Sequence, residues 1–408
     1  MKIAIPTVRM DDYNYPLPDE KIALFPTTER ASSKLLVYKN GQILDHKFSE
    51  ISEILPENSF LIFNNTKVIP ARLVFYKQNG VRIEIFCLEP LDDQGEHQKA
   101  MMRQKTAHWK CIVGNLKRWK EPIKMEIPSD NGIIILTAIL ETREDDKVNV
   151  RFEWSPENMD FSTVLHFAGK IPLPPYIKRE NTEIDAERYQ TVYAQNKGSV
   201  AAPTAGLHFT PEVMQSLKNK NILQDFITLH VGAGTFKPVT SATANEHSMH
   251  HESFVVRKQL LENILTNSKR TLFAVGTTSA RSLESIYWLA LKNFRNKTQN
   301  DFTLEQWDAY QLNSHDFSLE NALNFWLESK IFDTQDHVLA NTSLMMMPGY
   351  KHRLVKGLIT NFHQPGSTLL LLLASYVGEN WKKIYQHALE NNYRFLSYGD
   401  ASVMMPKE

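Results

Sequence analysis

The sequence predicts an α/β main domain carrying an inserted, all-β, barrel-like smaller domain. Three observations lead there. The chain has 408 residues, more than one domain usually holds. Between residues 65 and 154 it reads almost entirely as short strands with turn signals at regular spacing. Beyond Phe161 strands alternate with helices, the pattern of an α/β layer structure. The division that follows gives residues 1–64 and 155–408 to the α/β domain and 65–154 to the insert, with a helical excursion at about 293–336.

Taken in order, Leu35 to Tyr38 and Ile43 to His46 flank Asn40-Gly41, a favoured hairpin turn because both residues tolerate positive φ. Leu73 to Lys77 and Val81 to Leu88 make a second hairpin around Asn79-Gly80. Ile123 to Ile127, Ile133 to Leu140 and Val148 to Trp154 follow as strands between polar turn clusters. In the α/β part, Thr210 before Pro211 and Glu212 marks a helix start. Thr271 to Val275 reads as a buried strand and Ser279 to Phe294 as a helix, with Gly276-Thr277-Thr278 between them. Ser367 to Val377 reads as a mostly buried helix, and the polar stretch from Asn293 to Asp336, with scattered aromatics, as the excursion.

Lys plus Arg equals Asp plus Glu at 46 each, so the net charge is zero. That argues against attachment to nucleic acid by bulk positive charge but leaves a local basic patch open. Two cysteines, Cys87 and Cys111, make neither a disulfide framework nor a zinc spacing. No long apolar run follows Lys2, so no secretory signal is expected. The greasiest stretch, Leu369 to Val377, is far shorter than the ~20 residues of a membrane span. A cytoplasmic protein without membrane contact is the expectation.

Three histidine-bearing strings fall within fifty residues of one another. Ala202-Pro203-Thr204-Ala205-Gly206-Leu207-His208 places His208 just before a helix start, where it faces either a pocket or the core. Thr228-Leu229-His230-Val231-Gly232-Ala233-Gly234 reads as a strand end whose glycines allow close backbone approach to a ligand. No third glycine follows at dinucleotide-loop spacing, which excludes a Rossmann fingerprint. Glu246-His247-Ser248-Met249-His250-His251-Glu252 packs five ionisable groups into seven residues, either acid–base groups, metal ligands or a solvated loop. At Gly276-Thr277-Thr278-Ser279-Ala280-Arg281, a strand-to-helix turn offers backbone N–H groups and a guanidinium to an anion; helix capping is the plain alternative. Turns at Thr360-Asn361-Phe362-His363-Gln364 and Ser397-Tyr398-Gly399-Asp400 set polar groups beside apolar segments.

Together these strings resemble one family, the S-adenosylmethionine:tRNA ribosyltransferase-isomerases of queuosine synthesis. Further matching stretches are Asn65 to Leu73, Pro172 to Ile177, Glu187 to Ala194, Pro348-Gly349-Tyr350 and Thr360 to Leu371, in family order along most of the chain. The resemblance implies transfer and isomerisation of the ribosyl part of S-adenosylmethionine onto 7-aminomethyl-7-deazaguanine in tRNA. Epoxyqueuosine-tRNA forms, and adenine and methionine leave. S-adenosylmethionine is then a co-substrate, with no permanently bound cofactor and no metal, and a monomer is expected. A sulfonium acidifies its neighbouring C–H bonds, adenine loss needs an acid, and the attacking amine must be neutral. His208, His230, Glu246 and His247 are expected in those catalytic roles. Thr204, Gly232, Gly234, Thr277, Thr278, Arg281, Asn361, His363, Tyr398 and Asp400 are expected to bind substrate, with Arg281 and its turn on the methionine carboxylate. Lys117, Arg118, Lys120 and Arg188 are the expected tRNA contacts.

The chain also departs from the family pattern. Asn64-Asn65-Thr66-Lys67 stands where the family has Asn-Asp-Thr-Arg, Lys356 replaces an Asp, and a basic residue is missing near Gly366. The basic string of the β-rich part is reduced to Asn115-Leu116-Lys117-Arg118-Trp119-Lys120. Two other readings therefore stay open: a relative using the same donor on another acceptor, and a metal-dependent hydrolase built on His247, His250 and His251.

Overall fold

The computed structural model describes residues 5–92, 96–130, 132–144, 147–232, 239–298, 301–312 and 314–405. Its strands in chain order are β1 (Lys34–Lys39), β2 (Gln42–Lys47), β3 (Ser59–Asn64), β4 (Thr66–Val68), β5 (Arg72–Tyr76), β6 (Arg82–Pro90), β7 (Thr106–Gly114), β8 (Ile123–Ser129), β9 (Gly132–Glu144) and β10 (Lys147–Ser155). There follow β11 (Gly169–Lys170), β12 (Asn196–Ser199), β13 (Leu223–Leu229), β14 (Glu252–Arg257), β15 (Thr271–Val275), β16 (Thr303–Leu304), β17 (His337–Thr342), β18 (Gly357–Asn361) and β19 (Ala401–Met404).

Ten of these form one mixed sheet in the order β16-β17-β14-β13-β3-β15-β18-β19-β1-β2. Its centre, β13-β3-β15-β18, is parallel. β3 is buried at every position, as a strand covered on both faces must be. Its alternate residues enter different cores: Phe60 and Ile62 join one with the helices Lys258–Thr266 and Thr277–Asn296. Leu61 and Phe63 join the other with Phe209, Val213 and Leu217. The first and last strands described, β1 and β19, lie parallel and adjacent in this sheet.

Seven strands form a second, wholly antiparallel sheet in the order β11-β5-β6-β7-β10-β9-β8. It curls until β5 touches β8, and wraps a separate core that includes Trp109, Trp119, Leu136 and Phe152. The helix Phe161–Ala168 packs Phe161, Val164 and Leu165 into that core. A short parallel ladder, β4 with β12, completes the strands. The fold is thus mixed α/β with one large sheet and one curled antiparallel sheet.

The first hairpin turns at Asn40 and Gly41 with φ of 51° and 85°, both positive as its type demands. The second has a longer loop, closed by Lys77 N–H to the Val81 carbonyl. Thr210 caps the helix Pro211–Asn219 through Oγ1 to Val213 N at 3.3 Å. β7 falls in the stretch read as almost entirely strand but is not one of the strands named there: its buried residues Ala107, Trp109 and Cys111 alternate with Thr106, His108 and Lys110, and small and polar members mask the period. The excursion holds the helices Asp308–Gln311 and Leu319–Leu327, and also the edge strand β16. It lies on the helix Thr277–Asn296, where Trp326 Nε1 donates to the Ile286 carbonyl and Tyr287 Oη to the Phe317 carbonyl.

Candidate active site

Ligands of open α/β sheets bind beyond the carboxyl ends of the parallel strands. There, after β15 and β18, a cleft of about 720 Å³ including its open mouth is lined by Ala202 to Ala205, Gly276 to Thr278, Thr360 to Gln364, Ser367 and Ser397. Tyr176 and Val231 form its sides. Among the described lining residues there is no Asp, Glu, Lys or Arg, so the cleft recognises by hydrogen bonds and dipoles.

Two helices begin at this cleft. Gly276, at φ 92°, turns β15 sharply into the 20-residue helix Thr277–Asn296, so the first-turn N–H groups and Thr277 and Thr278 face the cleft. Ser367 caps the second, Thr368–Val377, through Oγ to Leu370 N at 3.2 Å. Both dipoles present their positive ends to whatever occupies the cleft. His363 projects into it, held by Thr360 Oγ1 at 3.0 Å from Nε2. Its backbone N–H donates to Tyr385 Oη and its carbonyl accepts from Tyr15 Oη. Burial lowers the His363 pKa to about 3, so the ring is neutral.

His208 lies behind the cleft rather than in it. Asn361 Nδ2, which can only donate, stands 3.1 Å from Nε2, so Nδ1 carries the proton and donates to Ser33 Oγ at 2.8 Å. Burial, with Arg394 and Arg30 nearby, lowers its pKa to about 3. The imidazole is neutral, held by two hydrogen bonds and packed at a tilt against Phe48, and it fixes Asn361 at the cleft wall.

His230 opens instead on a neighbouring recess with Gly232, His250, His251 and Glu252; Val231 lines both spaces. Its Nδ1 is 3.0 Å from Thr66 Oγ1. That hydroxyl donates to the Asn196 carbonyl at 3.4 Å and therefore accepts from Nδ1–H, leaving Nε2 as the basic nitrogen. The ring stacks on His97, with centroids 4.6 Å apart. Burial and His97 push the His230 pKa well down, and burial brings His97 to about 4.

Other expected residues serve different partners. Arg281 Nη1 is bonded to Glu252 Oε2 at 2.7 Å, both side chains buried, so its charge is met inside the protein. Glu246 is exposed and closes a capping box on the Thr243 backbone. His247 is half-buried, its pKa lowered by burial and by His250, and its carbonyl accepts from Gln306. Tyr398 Oη donates to Asp185 Oδ1 at 2.7 Å, and Asp400 accepts the Lys34 and Arg394 backbone N–H groups. Thr204, Thr277, Thr278, Asn361 and His363 do come together in the cleft. Gly234 lies outside the described residues.

Lys117, Arg118 and Lys120 are exposed on the connection from β7 to β8. Arg188 donates to the Thr27 and Thr28 carbonyls. His251 meets Glu305 at 3.5 Å, and among the described residues no three His, Cys, Asp or Glu side chains gather as a metal group would. Ser33, His97 and Glu252 were missed as partners of His208, His230 and Arg281. Nothing local in their sequence marks them, since each partner is far away along the chain.

A family description of queuosine biosynthesis proteins matches residues 10–404. The S-adenosylmethionine:tRNA ribosyltransferase-isomerase of Syntrophomonas wolfei is 37% identical over 402 residues, covering 97% of each chain. A solved S-adenosylmethionine tRNA ribosyltransferase from Thermotoga maritima is 25% identical, covers 96% of this chain and 99% of its own, and has a TM-score of 0.45. The chain belongs to the S-adenosylmethionine:tRNA ribosyltransferase-isomerase family of queuosine biosynthesis, and is an enzyme of that transferase and isomerase class.

Proposed function

We propose that this chain moves the ribosyl moiety of S-adenosylmethionine to 7-aminomethyl-7-deazaguanine in tRNA and isomerises it, giving epoxyqueuosine-tRNA, adenine and methionine. S-adenosylmethionine serves as co-substrate. One observation carries the reading: an uncharged cleft at the carboxyl ends of β15 and β18 shares Val231 with the recess that holds His230. Donor and acceptor would then meet across one residue. In this reading residues 1–64 and 155–408 form the catalytic domain and 65–154 the inserted one.

The donor occupies the cleft with its carboxylate on the first-turn N–H groups of the helix Thr277–Asn296, because Arg281 is held by Glu252. Asn361, positioned by His208, and His363 bond the nucleoside part. His230 Nε2, held neutral by burial, takes a proton from the carbon beside the sulfonium. His247, whose pKa is lowered by burial and by the His250 that borders the recess, and Glu246 beside it in sequence are assigned to later proton transfers.

Labelled S-adenosylmethionine incubated with the protein and tRNA bearing the aminomethyl deazaguanine tests this. Adenine and methionine release that depends on that tRNA is expected. No release, or release indifferent to the tRNA, would sink the reading. His230→Ala should abolish release, whereas His208→Ala should mainly raise the KM for S-adenosylmethionine.

A further inference from the structure

A second recess is larger than the cleft. It lies on the other side of β4, spans about 1590 Å³ including its mouth, and is bordered by Lys67, Lys170, Lys197, Ser162 and Asn181. Lys67 and Lys197 are register partners on the parallel strands β4 and β12. Paired positions in such a ladder project to the same face about 4.8 Å apart, so the two lysine side chains leave the ladder side by side. Lys170, on β11, borders the same space from the edge of the curled sheet.

Like charges facing one another across a ladder are destabilising. Among the described residues none of the three ammonium groups has a carboxylate within 4.0 Å, although Lys197 Nζ donates to Ser162 Oγ at 2.7 Å. The recess does hold carboxylates, but one is neutralised: Asp185 is gripped by Arg179 through two bonds of 2.7 Å and by Tyr398 Oη. Glu183 stands exposed at the rim. The three lysines thus border this space with no carboxylate paired to them among the described residues.

The place of the recess matters as much as its charge. Thr66, which holds His230, directly precedes Lys67, and successive side chains of a strand point to opposite faces. One face of β4 therefore holds His230 while the other presents the lysines. With zero net charge on the whole chain, a polyanion can be held only by such a local patch.

We propose that this recess is a binding site for the phosphate backbone of the RNA substrate, gripped by Lys67, Lys170 and Lys197. The inference rests on the proposed acceptor being carried in tRNA. It gives the RNA a principal contact different from Lys117, Arg118 and Lys120.

The test measures binding of the modified tRNA between 50 and 200 mM KCl to the full chain and three variants. Replacing Lys67, Lys170 and Lys197 together by Gln should raise Kd at least about tenfold at 100 mM KCl and reduce the log–log salt slope by about 2–3. The KM for tRNA should rise in step, while the KM for S-adenosylmethionine and kcat at saturating tRNA hold. Arg at the same three positions should restore binding to within about twofold, which a folding defect would not allow. The companion variant Lys117→Gln/Arg118→Gln/Lys120→Gln should change Kd less. An unaltered Kd and slope in the first variant would overturn the proposal, as would inorganic phosphate occupying the recess without displacing tRNA. If the parent protein binds tRNA and releases adenine, those failures count against the recess alone; if it does neither, the proposed function itself falls.

Discussion

Arg281 and Glu252 form a buried ion pair, 2.7 Å from Nη1 to Oε2, between the first turns of the helix Thr277–Asn296 and the start of β14. The pair ties the helix that opens on the cleft to the strand that borders the His230 recess. Breaking it from one side leaves a charge buried and alone, which typically costs about 3–5 kcal/mol. Glu252→Gln should therefore lower the urea unfolding free energy by that order, and replacing both residues by apolar ones should cost less than the single change. A loss below about 0.5 kcal/mol for Glu252→Gln would show that the pair does not hold the two elements together.

Acid should weaken the fold earlier than its carboxylates alone would cause. His208 and His363 are held near 3 and His97 near 4 by burial, against 6.5 for an ordinary imidazole. The unfolded chain takes up protons below about 6.5 and the folded chain does not. Their contribution is thus complete above 6.5 and is lost as pH falls toward the folded values. Each such group adds a slope of about 1.4 kcal/mol per pH unit in that window. Urea unfolding of His208→Asn at pH 7.5 and pH 5 should show a smaller difference than the parent shows; an equal difference would mean His208 is already protonated in the folded state.

Gly198 leaves room for the stacked histidines. A Cβ there would sit 2.5 Å from His97 Cβ and 2.9 Å from His230 Cε1, at a φ of 145° that side chains rarely adopt. Gly198→Ala should displace His230 from Thr66 and lower kcat by more than tenfold. Turnover within a factor of two would mean that the stack is dispensable.

At the cleft, Ser367 caps the helix Thr368–Val377. Ser367→Ala should cost about 1 kcal/mol of stability and raise the KM for S-adenosylmethionine more than it lowers kcat. Calorimetry and steady-state kinetics on one preparation decide it: a normal KM would place the donor away from this helix.

Much of the fold could be read from local pattern. The Asn40-Gly41 hairpin, the strands of the curled sheet and the helix starts at Thr210 and Ser367 follow from turn chemistry, alternation and capping. The cleft was half legible, because Gly276-Thr277-Thr278 and Asn361 to His363 sit at turns after apolar strands. What local pattern does not carry is pairing over distance. Arg281 looked like an anion ligand because its neighbours in sequence are small and polar; its real counter-ion is 29 residues upstream. His208 looked like an acid–base group because neither Ser33, 175 residues away, nor Asn361, 153 residues away, is visible beside it.

The seam between β1 and β19 gives this enzyme a built-in order of assembly. β19 lies between β18 and β1, so the hairpin β1–β2 has no place in the sheet until the last strand arrives. Ser33, just ahead of β1, holds the histidine that holds Asn361. A nascent chain stalled before β19 on the ribosome would thus carry every residue of the cleft without its correct wall. Non-local pairings of this kind close late. A chain truncated before β19 should therefore bind S-adenosylmethionine more weakly than the parent, as calorimetry would measure.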